Sequence, residues 1–199
     1  FEHLFMDEID LPQAVRDIPQ CNFSKTLFLI CAVTCYCDVI GLPNKSAGSL
    51  IDAIKLWLSR MRRKGLDTLL TIRADAGTGF MSQEFQQWCS DNNVKISFAA
   101  PKHQEQNSIV ERHWGTIAKL ANTLLLHAQL NRKFFYYAVK YVQYIHYIIP
   151  VQDLTDSDGL PTTPHFLLTG QKPKVQRYRV FGCPAIFKHY NISENGRCT

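Results

Sequence analysis

The sequence has no apolar run of the roughly 18 residues that a membrane-spanning helix needs. Its longest, TLFLICAVTCYCDVIGL from Thr26, is shorter, β-branched and well inside the chain. No membrane partner is expected. No charged and apolar leader opens the chain, so no signal peptide is read there. Phe1 already stands in an apolar pattern, and a piece of a longer polypeptide is expected. The sequence also lacks any C-x-x-C pair. Its seven cysteines are odd in number and irregularly spaced, with only Cys35 and Cys37 close together. That argues against a zinc site and against a disulfide framework, leaving buried thiols in a reducing compartment. Neither sign of charge dominates. The net charge of +5 is a mild basic bias, compatible with a nucleic-acid partner without requiring one. Internal repeats and low-complexity tracts are absent. What is present is 46% hydrophobic residues in 199, enough for a real core. One sizeable domain over residues 1–150 and an extension over 151–199 are expected.

HLFMDEID reads as a short strand ending in carboxylates. TLFLICAVTCYCDVIGLP reads as two buried strands, or one long strand with a bend. SAGSLIDAIKLWLSRMRRKG suits an amphipathic helix carrying Leu50, Ile54, Leu56, Leu58 and Met61, capped by Ser46 or Ser49 and stopped at Gly65. DTLLTIRAD is a strand, SQEFQQWCSDNN a helix and VKISFAA another strand. Two long helices are expected near 104–129 and 131–149, the second stopped by Pro150. A polar Pro/Gly-rich loop and a short helix, TPHFLLTG, follow. This order implies a mixed sheet covered by helices.

Asp7 ends the first strand, Asp75 ends LLTIRAD, and Glu111 lies early in a helix. Two strand-end carboxylates can meet at one edge of an open α/β sheet, where ligands bind. A third can arrive from a helix. Clustered carboxylates repel one another unless they hold cations, and hard oxygen donors favour Mg2+ or Mn2+. Two such ions roughly 3.5–4 Å apart suit phosphodiester chemistry. On the helix, Val110, Ile117, Ala121, Leu124 and Ala128 form one apolar stripe, and Glu111 falls about 100° round from its start, on the border. Each residue also has a plainer reading. Ser108 and Glu111 match a helix capping box, Asp75 precedes AGTG and could start a turn, and Asp7 shares its strand end with Glu8 and Asp10.

Residues 76–110, 35 in all, separate Asp75 from Glu111. An Asp, a second Asp and a Glu at that interval resemble the catalytic core of retroviral and retrotransposon integrases. IRADAGTGFMSQEFQQWC resembles that family's R-x-D-x-G-x-E-F segment, and APKHQEQNSIVERHWGTI its P-x-x-x-Q-N-G-x-x-E-R segment. TTPHFLLTGQKPKVQRYRVFGCPAIF resembles the segment after the core in copia-type (Pseudoviridae) polyproteins. The resemblance implies a ribonuclease-H-like α/β fold, a five-stranded mixed sheet flanked by helices with a helical C-terminal extension. It implies Asp7, Asp75 and Glu111 as ligands of two Mg2+ or Mn2+ ions. The implied reactions are 3′-end processing of element DNA and strand transfer into target DNA. Element and target DNA, and a homodimer or higher oligomer, are the implied partners. A eukaryotic element implies work in the nucleus after a cytoplasmic particle.

The sequence departs from the pattern in places. Ser108 stands where the family usually has Gly, and Gly79 where it has Glu. Asp10 rivals Asp7 as first ligand. No His-His-Cys-Cys module precedes the core and no reverse transcriptase follows it. Lys102, His103, Gln104 and Asn107 lead into the catalytic helix as candidate DNA contacts, with Arg112 beside them. Trp88 and Trp114 are expected in the core, Lys119 in solvent. The alternatives to an integrase are a non-catalytic nucleic-acid-binding remnant, a nuclease of the same fold and an oligomerisation module.

Overall fold

The computed structural model describes residues 3–16, 23, 25–63, 69–98, 108–151 and 154–186. Five strands form one sheet in the order β3-β2-β1-β4-β5. β1 (His3–Asp10), β2 (Lys25–Cys31) and β3 (Cys37–Leu42) make an antiparallel meander, whereas β4 (Thr71–Ala74) and β5 (Lys95–Phe98) run parallel to β1. The long apolar run is thus two strands, joined by a turn in which Cys35 has a positive φ. Every residue of β2 is buried, as a strand covered on both faces requires.

One face of the sheet carries Leu4, Met6, Leu27, Leu29, Ile72 and Ala74 under α2 (Ala47–Arg62) and α3 (Gln83–Asp91). In α2 the buried stripe is Leu50, Ile54, Trp57 and Met61, one side chain per turn. Leu56, assigned to that stripe from its hydrophobicity, is 44% exposed, because it lies about 120° from Leu50 round the helix. Ser46 is the N-cap and accepts a hydrogen bond from the Ser49 backbone N–H; the helix ends at Arg62, and Gly65 lies outside the described residues. The other face carries Phe5, Phe28, Ile30, Cys37 and Val39 under α4 (Ser108–His127) and α5 (Phe135–Ile148). α1 (Gln13–Arg16), not anticipated, adds Val15 to this second core. β4 is shorter than the expected strand and stops just before Asp75.

Five described cysteines are free thiols, and Cys31, Cys37 and Cys89 are buried. No helix among the described residues is long and apolar enough to cross a membrane. α6 (Pro164–Thr169) is capped by Thr163 and closed by Gly170 in the left-handed conformation. The segment after it lies against α5, with the Tyr178 ring 5.0 Å from Tyr144 and the Phe181 ring 5.4 Å from Tyr141. The Tyr141 hydroxyl donates to the Arg179 carbonyl. The basic residues of KPKVQRYR therefore ride on a segment held down by its aromatics.

Candidate active site

The β1–β4 register determines where the first two carboxylates emerge. Met6 pairs with Ala74, so Asp7 and Asp75 are the next residues along two adjacent parallel strands. Asp75 directly follows the end of β4, whereas β1 runs on to Asp10, so Asp7 lies within its strand rather than at its end as the sequence suggested; the two lie beside the point where the strand order turns from β1, β2, β3 on one side to β4, β5 on the other. Ligands of open α/β sheets bind in the crevice at such a point. Alternation puts Asp7 with Phe5 and Ile9 on the α4 face, and Glu8 with Leu4 and Met6 on the α2 face.

Glu111 approaches from the α4 side. Val110 is buried in the second core, whereas Glu111 is exposed in the first turn. One turn on, the Trp114 ring packs 5.6 Å from Phe28, and Phe28 is the residue opposite Asp7 across the β1–β2 ladder. That aromatic contact fixes the start of α4 over the end of β1. Trp114 was legible only as a core residue; its role as the anchor of the glutamate's helix depends on a long-range register.

Asp7 senses the other two carboxylates. The Asp7 carboxyl is pushed up to about 6, first by burial, then by the negative charge of Asp75, with smaller contributions from Glu111 and Glu8; the Glu8 backbone N–H opposes the shift. A carboxyl whose pKa rises on folding stabilises the fold fully below its unfolded value of 3.8 and loses that contribution as the pH rises through about 6. Asp7→Asn is therefore expected to flatten this loss. Urea melts of both proteins between about pH 4 and pH 7 should show the variant gaining on the parent as the pH rises.

Asp75 is half-buried, and its Oδ1 accepts the Gly77 backbone N–H at 3.2 Å. The turn-starting reading of Asp75 is thus realised, and that bond also orients the carboxylate. Asp10, the rival first ligand, lies three residues past Asp7, opposite Lys25, whose Nζ is 3.7 Å from Asp10 Oδ1 and 3.6 Å from Glu8 Oε2. Among the described residues, no three His, Cys, Asp or Glu side chains are gathered closely enough to hold a metal ion. The donor set itself fits Mg2+ or Mn2+: hard carboxylate oxygens, two on adjacent strands and one in the first turn of a helix. Of the candidate DNA contacts, Arg112 is exposed on α4; Lys102, His103, Gln104 and Asn107 lie outside the described residues.

Gly79 has a packing reason. A Cβ there would meet Leu50 Cδ1 at 2.5 Å and Glu8 Oε1 at 2.8 Å. Its backbone is not in the left-handed region, so the requirement is for space. A glutamate at this position would press a second carboxylate onto Glu8. Gly79→Ala is expected to cost about 1–3 kcal/mol through overpacking, read as a lower midpoint in denaturant.

No family model matches the chain. It is 36% identical over 62 residues to the Pro-Pol polyprotein of Feline foamy virus, covering 31% of this chain and 5% of that protein. It is 27% identical over 124 residues to the Retrovirus-related Pol polyprotein from transposon TNT 1-94 of Nicotiana tabacum, covering 61% of this chain and 9% of that protein. With the corresponding polyprotein from transposon RE2 of Arabidopsis thaliana it shares 24% identity over 141 residues, 71% of this chain and 9% of that one. The chain thus spans less than a tenth of these polyproteins. In fold it is similar to the HTLV-2 integrase catalytic core domain in complex with magnesium, with a TM-score of 0.58 at 19% identity over 84% of this chain and 95% of that one. It is also similar to a chain of the simian T-cell lymphotropic virus intasome in complex with PP2A regulatory subunit B56 gamma, with a TM-score of 0.64 at 13% identity over 96% of this chain and 59% of that one. Over part of its length the chain is similar to retroviral and retrotransposon Pol polyproteins, and its fold is the ribonuclease-H-like fold of an integrase catalytic core.

Proposed function

We propose that this chain is the catalytic part of a retrotransposon integrase, joining the 3′ ends of element DNA to target DNA. The observation that carries the reading is the placement of Asp7 and Asp75 side by side on adjacent parallel strands, with the Asp7 carboxyl raised first by burial and then by the charges of Asp75 and Glu111. Residues 1–150 form the core in this reading, and 151–199 the extension. Mg2+ or Mn2+, when bound, lowers the pKa of the attacking hydroxyl and stabilises the leaving oxygen. Asp7, Asp75 and Glu111 are the ligands. Asp7 holds a proton up to about pH 6 without a cation and gives it up on binding one, so cation affinity rises through that pH. Asp75 is held in place by the Gly77 N–H. Glu111 sits at a helix start, where the helix dipole favours a negative charge, and would supply the third carboxylate to a bound cation. In 3′-end processing water attacks phosphorus and a 3′-oxygen leaves. In strand transfer the freed 3′-hydroxyl attacks a target phosphorus, a new P–O bond forms, and the target strand's 3′-oxygen leaves with a proton.

The magnesium complex of the HTLV-2 core, with structures in trimeric and dimeric forms, supports the cation and the oligomer. Intasome similarity supports DNA as partner, and a eukaryotic element would place the work in the nucleus. The test is a joining assay on short labelled duplexes with Mn2+. The parent is expected to give joined products and Glu111→Gln none. If Glu111 merely capped the helix, Glu111→Gln would stay active, since glutamine serves equally in a capping box.

A further inference from the structure

Among the described residues, the sheet face that carries Asp7 and Asp75 is covered over only half its width. α4 packs on β1 and β2, and α5 on β3; the second core contains Phe5 but no residue of β4 or β5. On that uncovered half, side-chain alternation lines up two rows across three strands. His3, Thr71 and Lys95 are in register, and so are Phe5, Arg73 and Ser97. The even positions, among them Ile72, Ala74, Ile96 and Phe98, belong to the opposite core. The rows line a concavity of about 430 Å³ whose walls, among the described residues, hold no aspartate or glutamate. Its chemistry is cationic and donor-rich. Arg73 lies over the Phe5 ring at 6.0 Å from the centroid, Lys95 and Ser97 are exposed, and His3 Nδ1 is 2.7 Å from Thr71 Oγ1. The next row along the strands is Asp7 and Asp75, roughly 7 Å on at two residues' rise.

We infer that this open patch binds the phosphodiester backbone of a nucleic-acid strand and leads it to Asp7 and Asp75. The inference rests on the DNA-joining reading and extends it. A carboxylate cluster repels a polyanion, so a strand reaching it needs adjacent cations to hold it, and Arg73 and Lys95 are placed for that on the same face. The Thr71 and Ser97 hydroxyls offer neutral donors to phosphate oxygens, and Phe5 gives an apolar floor on which a sugar or base can rest.

The test is DNA binding by fluorescence anisotropy over a salt series, with a labelled duplex and a labelled single strand. Lys95→Glu and Ser97→Lys change exposed positions, so both variants should fold; Lys55→Glu, on the exposed side of α2 across the sheet, is the charge-matched control. Lys95→Glu is expected to weaken binding by about tenfold relative to that control, and to reduce the slope of log affinity against log salt by about one. Ser97→Lys should raise both. Equal slopes for Lys95→Glu, Ser97→Lys and Lys55→Glu would overturn the inference. If joining by the parent and its loss in Asp75→Asn persist alongside that result, the DNA-joining reading stands without the patch. A parent that binds no DNA overturns both.

Discussion

Asp75→Asn is expected to reduce strand transfer by on the order of a thousandfold, since losing one carboxylate ligand forfeits several kcal/mol of transition-state stabilisation. The same variant should keep the fold. Asparagine Oδ1 can still accept the Gly77 N–H that Asp75 accepts, and removing its charge relieves the neighbour that most raises Asp7. The cation-free variant should therefore melt at the parent's temperature or slightly above it. Addition of Mn2+ separates the two. At a hundred times its dissociation constant a ligand contributes about 2.7 kcal/mol, which for a domain of this size is a rise of roughly 5–10 °C in Tm. The parent should show that rise and Asp75→Asn little of it. A variant that loses joining because it is unfolded would instead melt early in both conditions.

Lys140→Met is expected to be the most destabilising single change away from the site. Asp38 is 2% exposed, and its Oδ1 accepts from Lys140 Nζ at 2.7 Å and from the Val39 backbone N–H at 2.7 Å. Arg60 reaches its Oδ2 at 3.3 Å from the α2 side. Lys140 also donates to the Val39 carbonyl, fastening α5 to the edge strand β3. Taking the ammonium away leaves a buried carboxylate with the Val39 N–H and a part-exposed arginine as its partners, a loss of about 3 kcal/mol or roughly 6–12 °C in Tm. Asp38→Asn in the Lys140→Met background should recover more than about 1 kcal/mol, because the buried charge is gone while the Val39 N–H keeps its acceptor. Further destabilisation in the double variant would show that the network holds the fold by shape rather than charge.

Much of the architecture was legible because the elements announce themselves locally. The β-branched run from Thr26 could only be buried strand, and Ser46, Ser82 and Thr163 all cap the helices that follow them. Leu56 was misplaced by hydrophobicity, although the helical period already pointed to Trp57. α1 was missed because four residues carry too little periodicity to register. In the site, Asp7, Asp75 and Glu111 stood out through their flanking segments, whereas their arrangement depends on facts that no local window contains. Asp7 is set beside Asp75 by the β1–β4 register, and Glu111 is brought over that edge by Trp114 on Phe28. Gly79 read as a departure from a motif; the fold gives it a cause, the Glu8 carboxylate and Leu50 methyl that fill the space above it. The open cationic face was invisible for the same reason. Lys95 and Arg73 are 22 positions apart in sequence, and only adjacent strands bring them together.

The central claim is that Asp7, Asp75 and Glu111 together hold divalent cations. Anomalous scattering from crystals of the chain grown with Mn2+ tests it most directly. Peaks bound by the Asp7 and Asp75 carboxylates, with Glu111 turned toward them, are the expected result. Saturating Mn2+ that leaves no peak at the shared end of β1 and β4, or that binds only at other carboxylates, would contradict it.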